Sequence, residues 1–187
     1  MAVSEHAGLM SPHLGMDAAN YQYLDKPVDA AAAPPAIDAA RDDSLLPFIQ
    51  AACDSNSAPG GEAVEWSIDA PPPSVPDSGW IRVKSAQSNP PGQGWKVHVS
   101  ATILSAREVL QRVLPVLLEE GVYFKVASSI SALHNLNHGA GGVSQIGKFV
   151  TIYPNDDAQA VRLARALDEA TTGLEGPAIP SDRPLRP

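Results

Sequence analysis

The sequence predicts an α+β domain in which a mixed sheet is flanked by helices. Two segments, 95–102 and 148–154, alternate apolar and polar residues as half-buried strands do. Two longer segments repeat apolar residues at helical spacing. The predicted order of strand, helix, strand, short helix, strand and helix favours helices packed against one sheet. The order in which the strands pair does not follow from this pattern.

The segment WKVHVSAT, from Trp95 to Thr102, is the clearest predicted strand. Its period of two places Lys96 and His98 side by side on one face. The preceding segment WIRVK, at 80–84, predicts an edge strand. The polar face of the first of these strands is therefore a candidate for chemistry.

A helix is predicted to begin at Ser105, because Glu108 three residues later completes a capping box. Pro115 is expected to kink this helix, and Gly121 suits a left-handed C-terminal cap. Its apolar stripe consists of Val109, Leu110, Val113, Leu114, Leu117 and Leu118.

After this helix the pattern again alternates between strand and helix. Tyr123, Lys125 and Ala127 share one face of a predicted strand. Lys148 opens another strand, and Asn155 is the predicted cap of the last helix, which runs to about Thr172. The segments, in order, are the strand 122–127, the short helix 129–137, the glycine loop 138–142, the strand 148–154 and the last helix.

Composition excludes several function classes. With a formal net charge of -8, the chain is a poor candidate for a general binder of nucleic acid or membrane surfaces. The lone Cys53 can form neither an intrachain disulfide nor a zinc site by itself. Without a signal peptide in 1–25 or an apolar run of about 18 residues, a cytoplasmic location is expected.

The chain divides by composition near residue 79. Residues 1–79 form a weakly specified region with Pro- and Ala-rich linkers at 29–36 and 70–79, and with a short predicted helix at 42–53. Residues 80–187 carry the strong strand and helix patterns. The functional core is therefore expected in the second region.

Four segments of this core, GWKVHVSAT, FKVASS, GKFVTIYP and GPAIPSDRPLRP, together resemble the N-terminal lyase domain of class III lanthipeptide (lanthionine) synthetases. The likeness covers about 80–187. It implies a fold similar to the phosphothreonine lyases of bacterial effectors. In such synthetases, kinase and cyclase domains follow the lyase, so both are expected after the end of this chain.

The resemblance also implies an activity. The kinase phosphorylates Ser or Thr in a precursor (leader-core) peptide, the lyase eliminates phosphate to give dehydroalanine or dehydrobutyrine, and the cyclase adds cysteine thiols. Such a β-elimination needs a base near Cα, an acid near the leaving oxygen and cations around the phosphate. It implies no cofactor. His134 and His138 lie four residues apart without a third ligand, so no metal site is expected either.

Particular residues match the roles of the family. Lys125 matches the base, which must be neutral to accept a proton. His98 matches the general acid. Lys148 matches a phosphate-binding lysine of the family, and Lys96, on the same strand face as His98, would neutralise phosphate charge. Arg183 is the preferred candidate for a further phosphate ligand.

Two positions depart from the family pattern. Glu120 and Gln145 stand where family members commonly carry basic residues. A carboxylate or an amide does not replace a guanidinium as a phosphate ligand. Arg82 and Arg186, besides Arg183, are further basic residues that could compensate.

Two alternatives to an active lyase stay open on these grounds. The first is a degenerate lyase fold that binds precursor peptide or organises the adjoining kinase. The second is a free-standing phosphopeptide reader, in which a general acid and a general base would have no use.

Overall fold

A computed structural model describes residues 2–5, 43–56, 64–72 and 79–185. The predicted α+β class is confirmed. In the described residues, seven strands form one sheet in the order β2-β3-β5-β6-β4-β1-β7. The strands are β1 (Ala2–Glu5), β2 (Trp66–Asp69), β3 (Trp80–Ser85), β4 (Trp95–Val99), β5 (Tyr123–Ala127), β6 (Val150–Tyr153) and β7 (Arg183–Pro184).

Each of the strand pairs described is antiparallel, where a mixed sheet was expected. Four α-helices lie in the described ranges, and none of them has the length and apolar character of a membrane span. The helices are α1 (Leu46–Asn56), α2 (Ala106–Glu119), α3 (Ile130–Asn137) and α4 (Asp157–Ala170).

The core lies on one face of the sheet. Val83, Phe124, Ile152 and Val97 are in register across four neighbouring strands, and all four are fully buried. Directly paired residues share a face, so these side chains form one apolar row. The predicted apolar stripe of α2 is buried in the same hydrophobic cluster, together with residues of α1 and α4.

The segment before residue 80 contributes more than its composition predicted. β2 pairs with β3, and α1 buries Ile49 and Cys53 in the core. The prediction that 80–84 is an edge strand was wrong, because β3 lies between β2 and β5. With only four residues, β2 has too short a pattern to be recognised from sequence. The linker at 29–36 and Arg186 lie outside the described residues.

The start of α2 was predicted at the right residue but for the wrong reason. The Ser105 side chain makes no capping bond to the helix. Its hydroxyl is within hydrogen-bond distance of Thr102 Oγ1, at 2.9 Å, and donates to the carbonyl of Glu175 at 3.0 Å. Glu108 pairs with Arg112 instead of completing a capping box. Two local contacts and one tertiary contact thus use the groups that a capping box needs.

Three other boundaries differ in detail. The last helix is capped by Asp156, whose carboxylate accepts from the Gln159 N–H at 2.7 Å, and not by Asn155. Lys148 lies two residues before β6 instead of opening it. The first helix is shifted along the chain from 42–53 to Leu46–Asn56.

Other local predictions are confirmed. Gly121 has a φ of +59°, which suits the predicted left-handed end of α2. The helix itself contains Pro115 and continues to Glu119. Ser129 caps α3 by accepting from the Ala132 N–H at 2.9 Å.

The C-terminal segment, 174–182, packs back onto the sheet at two glycines. A Cβ on Gly176 would lie 2.8 Å from the carbonyl oxygen of Ser100, just beyond β4. A Cβ on Gly147, where φ is +76°, would lie 2.9 Å from the carbonyl oxygen of Ala178. Only glycine permits these approaches of one backbone to another. They allow Asp182 to reach His98.

We predict that Gly176→Ala destabilises the fold by about 1–3 kcal/mol, the usual cost of forcing a methyl group into a packed contact. Thermal denaturation measures the change. Gly92→Ala is the matched control, since nothing lies within 4 Å of a Cβ at Gly92. Equal melting temperatures for the two variants would show that the segment does not need this close approach.

Candidate active site

The face of the sheet opposite the apolar row carries a row of polar side chains. Arg82 on β3 pairs with Lys125 on β5, Lys125 pairs with Thr151 on β6, and Thr151 pairs with His98 on β4. Neighbouring strands lie about 4.8 Å apart. Lys125 and His98 therefore flank Thr151 with roughly 10 Å between their backbones.

Lys96 stands on the same face as His98, two residues earlier on β4, as their spacing predicted. Its Nζ is 5.9 Å from the ring centroid of Tyr153. Tyr153 stacks on Tyr123 with their centroids 4.8 Å apart. A pair of aromatic rings thus borders the polar row.

A buried carboxylate joins two of the predicted residues. The His98 Nδ1 donates a hydrogen bond to Asp182 Oδ2, and both side chains are at most 2% exposed. Lys148 Nζ lies 3.7 Å from Asp182 Oδ1, and the Ser181 hydroxyl donates to the same oxygen at 2.8 Å. Asp182 therefore brings His98 and Lys148 to one point.

Sequence reasoning missed Asp182. Within the segment SDRP it selected Arg183, because a phosphate site calls for cations. A signal was available, since a buried histidine needs a partner that fixes its tautomer, and Asp182 lies in the same family motif.

The surroundings of His98 favour its neutral form. Burial lowers the pKa of His98 to about 4, the charge of Lys148 acts in the same direction, and Asp182 opposes both. With the hydrogen on Nδ1 directed at the carboxylate, Nε2 is left as the free ring nitrogen. An anion bound near Nε2 would favour the protonated ring.

Lys125 is a lysine that can lose its proton near neutral pH. Burial lowers the pKa of Lys125 to about 8, and repulsion from Arg82, Lys148 and Lys96 adds to the effect. Its Nζ lies 3.9 Å from the ring centroid of Trp80. That contact favours the charged form, so it moderates the shift without reversing it.

A cleft of about 660 Å³ opens beside Lys125. One wall is the sheet, the second is α3, and the third is the glycine loop predicted at 138–142 together with Gln145. The cleft is lined by Gly79, Trp80, Arg82, Lys125, Ala132, Asn135, Leu136, Ala140, Gly141 and Gln145. A peptide side chain that reaches Lys125 has room to lie in this cleft.

Two of the residues considered from sequence lie elsewhere. Arg183 is exposed, and its register through β1 places it in the row of Val97, so the structure does not bring it to His98. Glu120 is the C-cap of α2, and both its carboxylate oxygens accept hydrogen bonds from Arg162 of α4, at 3.1 and 3.0 Å. The family's basic residue at this position is therefore replaced by a carboxylate that joins two helices and does not line the cleft.

The two histidines considered for metal binding form a different contact. Their rings stack 4.1 Å apart, and the His138 Nδ1 donates to the His134 carbonyl. Within the described ranges, no three His, Cys, Asp or Glu side chains converge as metal ligands would.

These features define a class of protein: an α+β domain whose antiparallel sheet carries a cationic face, with a buried His–Asp pair beside a lysine of lowered pKa. Such a face is suited to hold an anion while a proton moves. Over residues 72–187, the chain matches the family described as the N-terminal domain of RamC, and it belongs to that family. The membership indicated by the motifs is thereby confirmed.

A relative carries this domain within a much longer protein. The chain is 41% identical over 103 residues to a protein of Streptomyces coelicolor described as a probable SapB synthase. The match covers 55% of this chain and 11% of that protein.

We predict that Arg82→Gln raises the pKa of Lys125 above about 8, because Arg82 repels the protonated amine. Side-chain NMR titration of the lysines measures it, with Lys125→Met assigning the signal. Arg112→Gln removes the same charge from α2, where Arg112 pairs with Glu108, and serves as control. If Arg82→Gln leaves the titration of Lys125 where the parent has it, the repulsion is absent.

Proposed function

We propose that this chain is a phosphoserine/phosphothreonine lyase that eliminates phosphate from a phosphorylated precursor peptide in lanthipeptide biosynthesis. It acts as a metal-independent carbon–oxygen lyase. The observation that carries the proposal is the polar row, in which Lys125, with a pKa lowered to about 8, and His98, held by Asp182, flank one position. Base and acid then stand on opposite sides of one bound side chain.

The reaction divides between these two residues. Neutral Lys125 Nζ takes the proton from Cα, and the electron pair of that C–H bond becomes the second bond between Cα and Cβ. The Cβ–O bond breaks with its pair on the oxygen, which takes a proton from Nε2 of His98. The products are a dehydroalanine or dehydrobutyrine residue and inorganic phosphate.

The surrounding charges support this division. Lys96 and Lys148 offset the charge of the phosphate dianion, and that dianion favours the protonated form of His98, whose pKa is low in the free site. Asp182 then stabilises the imidazolium and fixes its orientation. Arg183 stays a prediction as a further phosphate ligand. It lies on β7 at the edge of the sheet, so it could reach the phosphate only from that edge.

The proposed partners follow from the family. We propose that a kinase of the same synthetase supplies the phosphorylated precursor peptide in the cytoplasm, and that a cyclase consumes the dehydrated product. The chain spans only 11% of the length of its Streptomyces coelicolor relative, which leaves ample length for such domains there. Tethering would raise the effective concentration of phosphopeptide at the site.

We predict that Lys125→Met abolishes elimination while phosphopeptide still binds, and that His98→Asn slows elimination about a hundredfold or more. The chain is incubated with a phosphoserine precursor peptide, and mass spectrometry follows the loss of phosphoric acid. Lys84→Met is the matched control, since Lys84 is an exposed lysine of β3 that does not line the cleft. Elimination by Lys125→Met at the parental rate would mean that another residue is the base.

A second candidate function is a degenerate lyase fold that only binds precursor peptide or organises the kinase. One feature of the cleft favours it. Family members commonly carry a positively charged residue at the position of Gln145, whereas Gln145 places a neutral amide in the wall of the cleft that also contains Lys125. A neutral amide binds a phosphate dianion more weakly than a guanidinium does.

We predict that Gln145→Arg tightens binding of a phosphoserine peptide about tenfold, as expected for a hydrogen bond to a charged group, with a steeper salt dependence. Ser144→Arg adds the same charge one residue away and outside the cleft lining, and it should change little. Equal affinities for both variants would place position 145 outside the phosphate site. A parent that binds peptide but eliminates nothing when fused to its kinase would establish the binding module.

A further inference from the structure

Thr151 occupies the centre of the polar row, between Lys125 and His98. The residue is 2% exposed, and its side-chain oxygen, Oγ1, has no hydrogen-bond partner among the described residues. Lys125 Nζ lies over Trp80, and Lys96 Nζ lies near Tyr153, so neither ammonium group serves the hydroxyl. A buried hydroxyl without a partner is uncommon and calls for an explanation.

The buried hydroxyl lowers the free energy of unfolding. On burial it loses its hydrogen bonds to water and gains none from the part of the chain that the structure describes. Val150 and Ile152, on either side of Thr151 in β6, point to the opposite, apolar face and offer the hydroxyl no partner. Valine has nearly the same shape as threonine and also favours strands. A valine at this position would avoid the cost, so packing alone does not account for a threonine.

The position of Thr151 matches the bond that breaks in the proposed reaction. The register places Lys125 on one side of Thr151 and His98 on the other. In a phosphoserine whose Cα proton faces Lys125 and whose leaving oxygen faces His98, the Cβ–O bond lies next to Thr151. The phosphate, with acceptor oxygens only, needs donors at that point.

We propose that the Thr151 hydroxyl donates a hydrogen bond to an oxygen of the bound phosphate, as a substrate-binding residue between base and acid. This inference rests on the proposed function for its choice of substrate. Lysine side chains are long and flexible, whereas the χ1 of a threonine in a strand is restricted. Thr151 therefore supplies direction where the lysines supply charge.

The test compares Thr151→Val, which removes the hydroxyl and keeps the shape, with Thr151→Ser, which keeps the hydroxyl. Calorimetry measures binding of inorganic phosphate and of a phosphoserine peptide to the 187-residue chain. Thr151→Val should weaken both about tenfold, the loss expected for one hydrogen bond to a charged group. Thr151→Ser should bind nearly as the parent does.

Thermal denaturation supplies a second readout that separates binding from folding. Thr151→Val should melt at or above the parental temperature, because it removes an unpaired buried hydroxyl. Thr151→Ala provides a second variant without the hydroxyl should Thr151→Val fold poorly, and it should show the same loss of phosphate binding.

Three outcomes overturn the inference: Thr151→Val binds phosphate as the parent does, Thr151→Ser loses as much affinity as Thr151→Val, or the parent binds no phosphate. The elimination assay separates this inference from the proposed function. A parent that binds phosphate through Thr151 but eliminates nothing beside its kinase refutes the lyase and keeps the inference. A parent that eliminates phosphate, and whose phosphate affinity is unchanged by Thr151→Val, supports the lyase and refutes the inference.

Discussion

The contact between Asp182 and His98 is the interaction on which the arrangement of the site depends. A carboxylate with a fully buried side chain is stable only when it is paired. Its partners are the His98 ring on β4 and the ammonium group of Lys148, which lies just before β6. The C-terminal segment, strand β4 and the segment that leads into β6 therefore meet at one buried carboxylate. The same contact fixes the His98 tautomer and leaves Nε2 free for chemistry.

Antiparallel register is the second constraint, because it turns the chain's local patterns into two continuous rows. On one face, apolar side chains pack under the helices, and on the other, Arg82, Lys125, Thr151 and His98 line up across four strands. Burial, together with the positive charges gathered there, lowers the pKa of Lys125 and of His98, although the chain as a whole has a formal net charge of -8. Local placement, and not total charge, therefore sets the chemistry available.

Part of the site was readable from sequence because it follows from spacing within one element. A period of two places Lys96 beside His98, and the apolar surroundings of Lys125 indicated a lysine that is hard to keep charged. The position of Thr151 between Lys125 and His98 was not readable, and for Asp182 the sequence offered only the need of a buried histidine for a partner, since each placement arises from a contact between segments distant in the chain. Glu120 shows the converse: a residue close to Lys125 in sequence binds α4 and takes no part in the cleft.

The sequence by itself determined the α+β class, the helix stripe, the faces of β4 and β5 and the family, because these depend on local periodicity and on motifs of contiguous residues. Tertiary structure decided the antiparallel order of the sheet and placed β3 in its interior. It also decided that Arg183 lies at the sheet edge while Asp182 enters the site. The physical reason is that pairing partners and buried charges are chosen by the free energy of the whole packed chain, to which residues far apart in sequence contribute together.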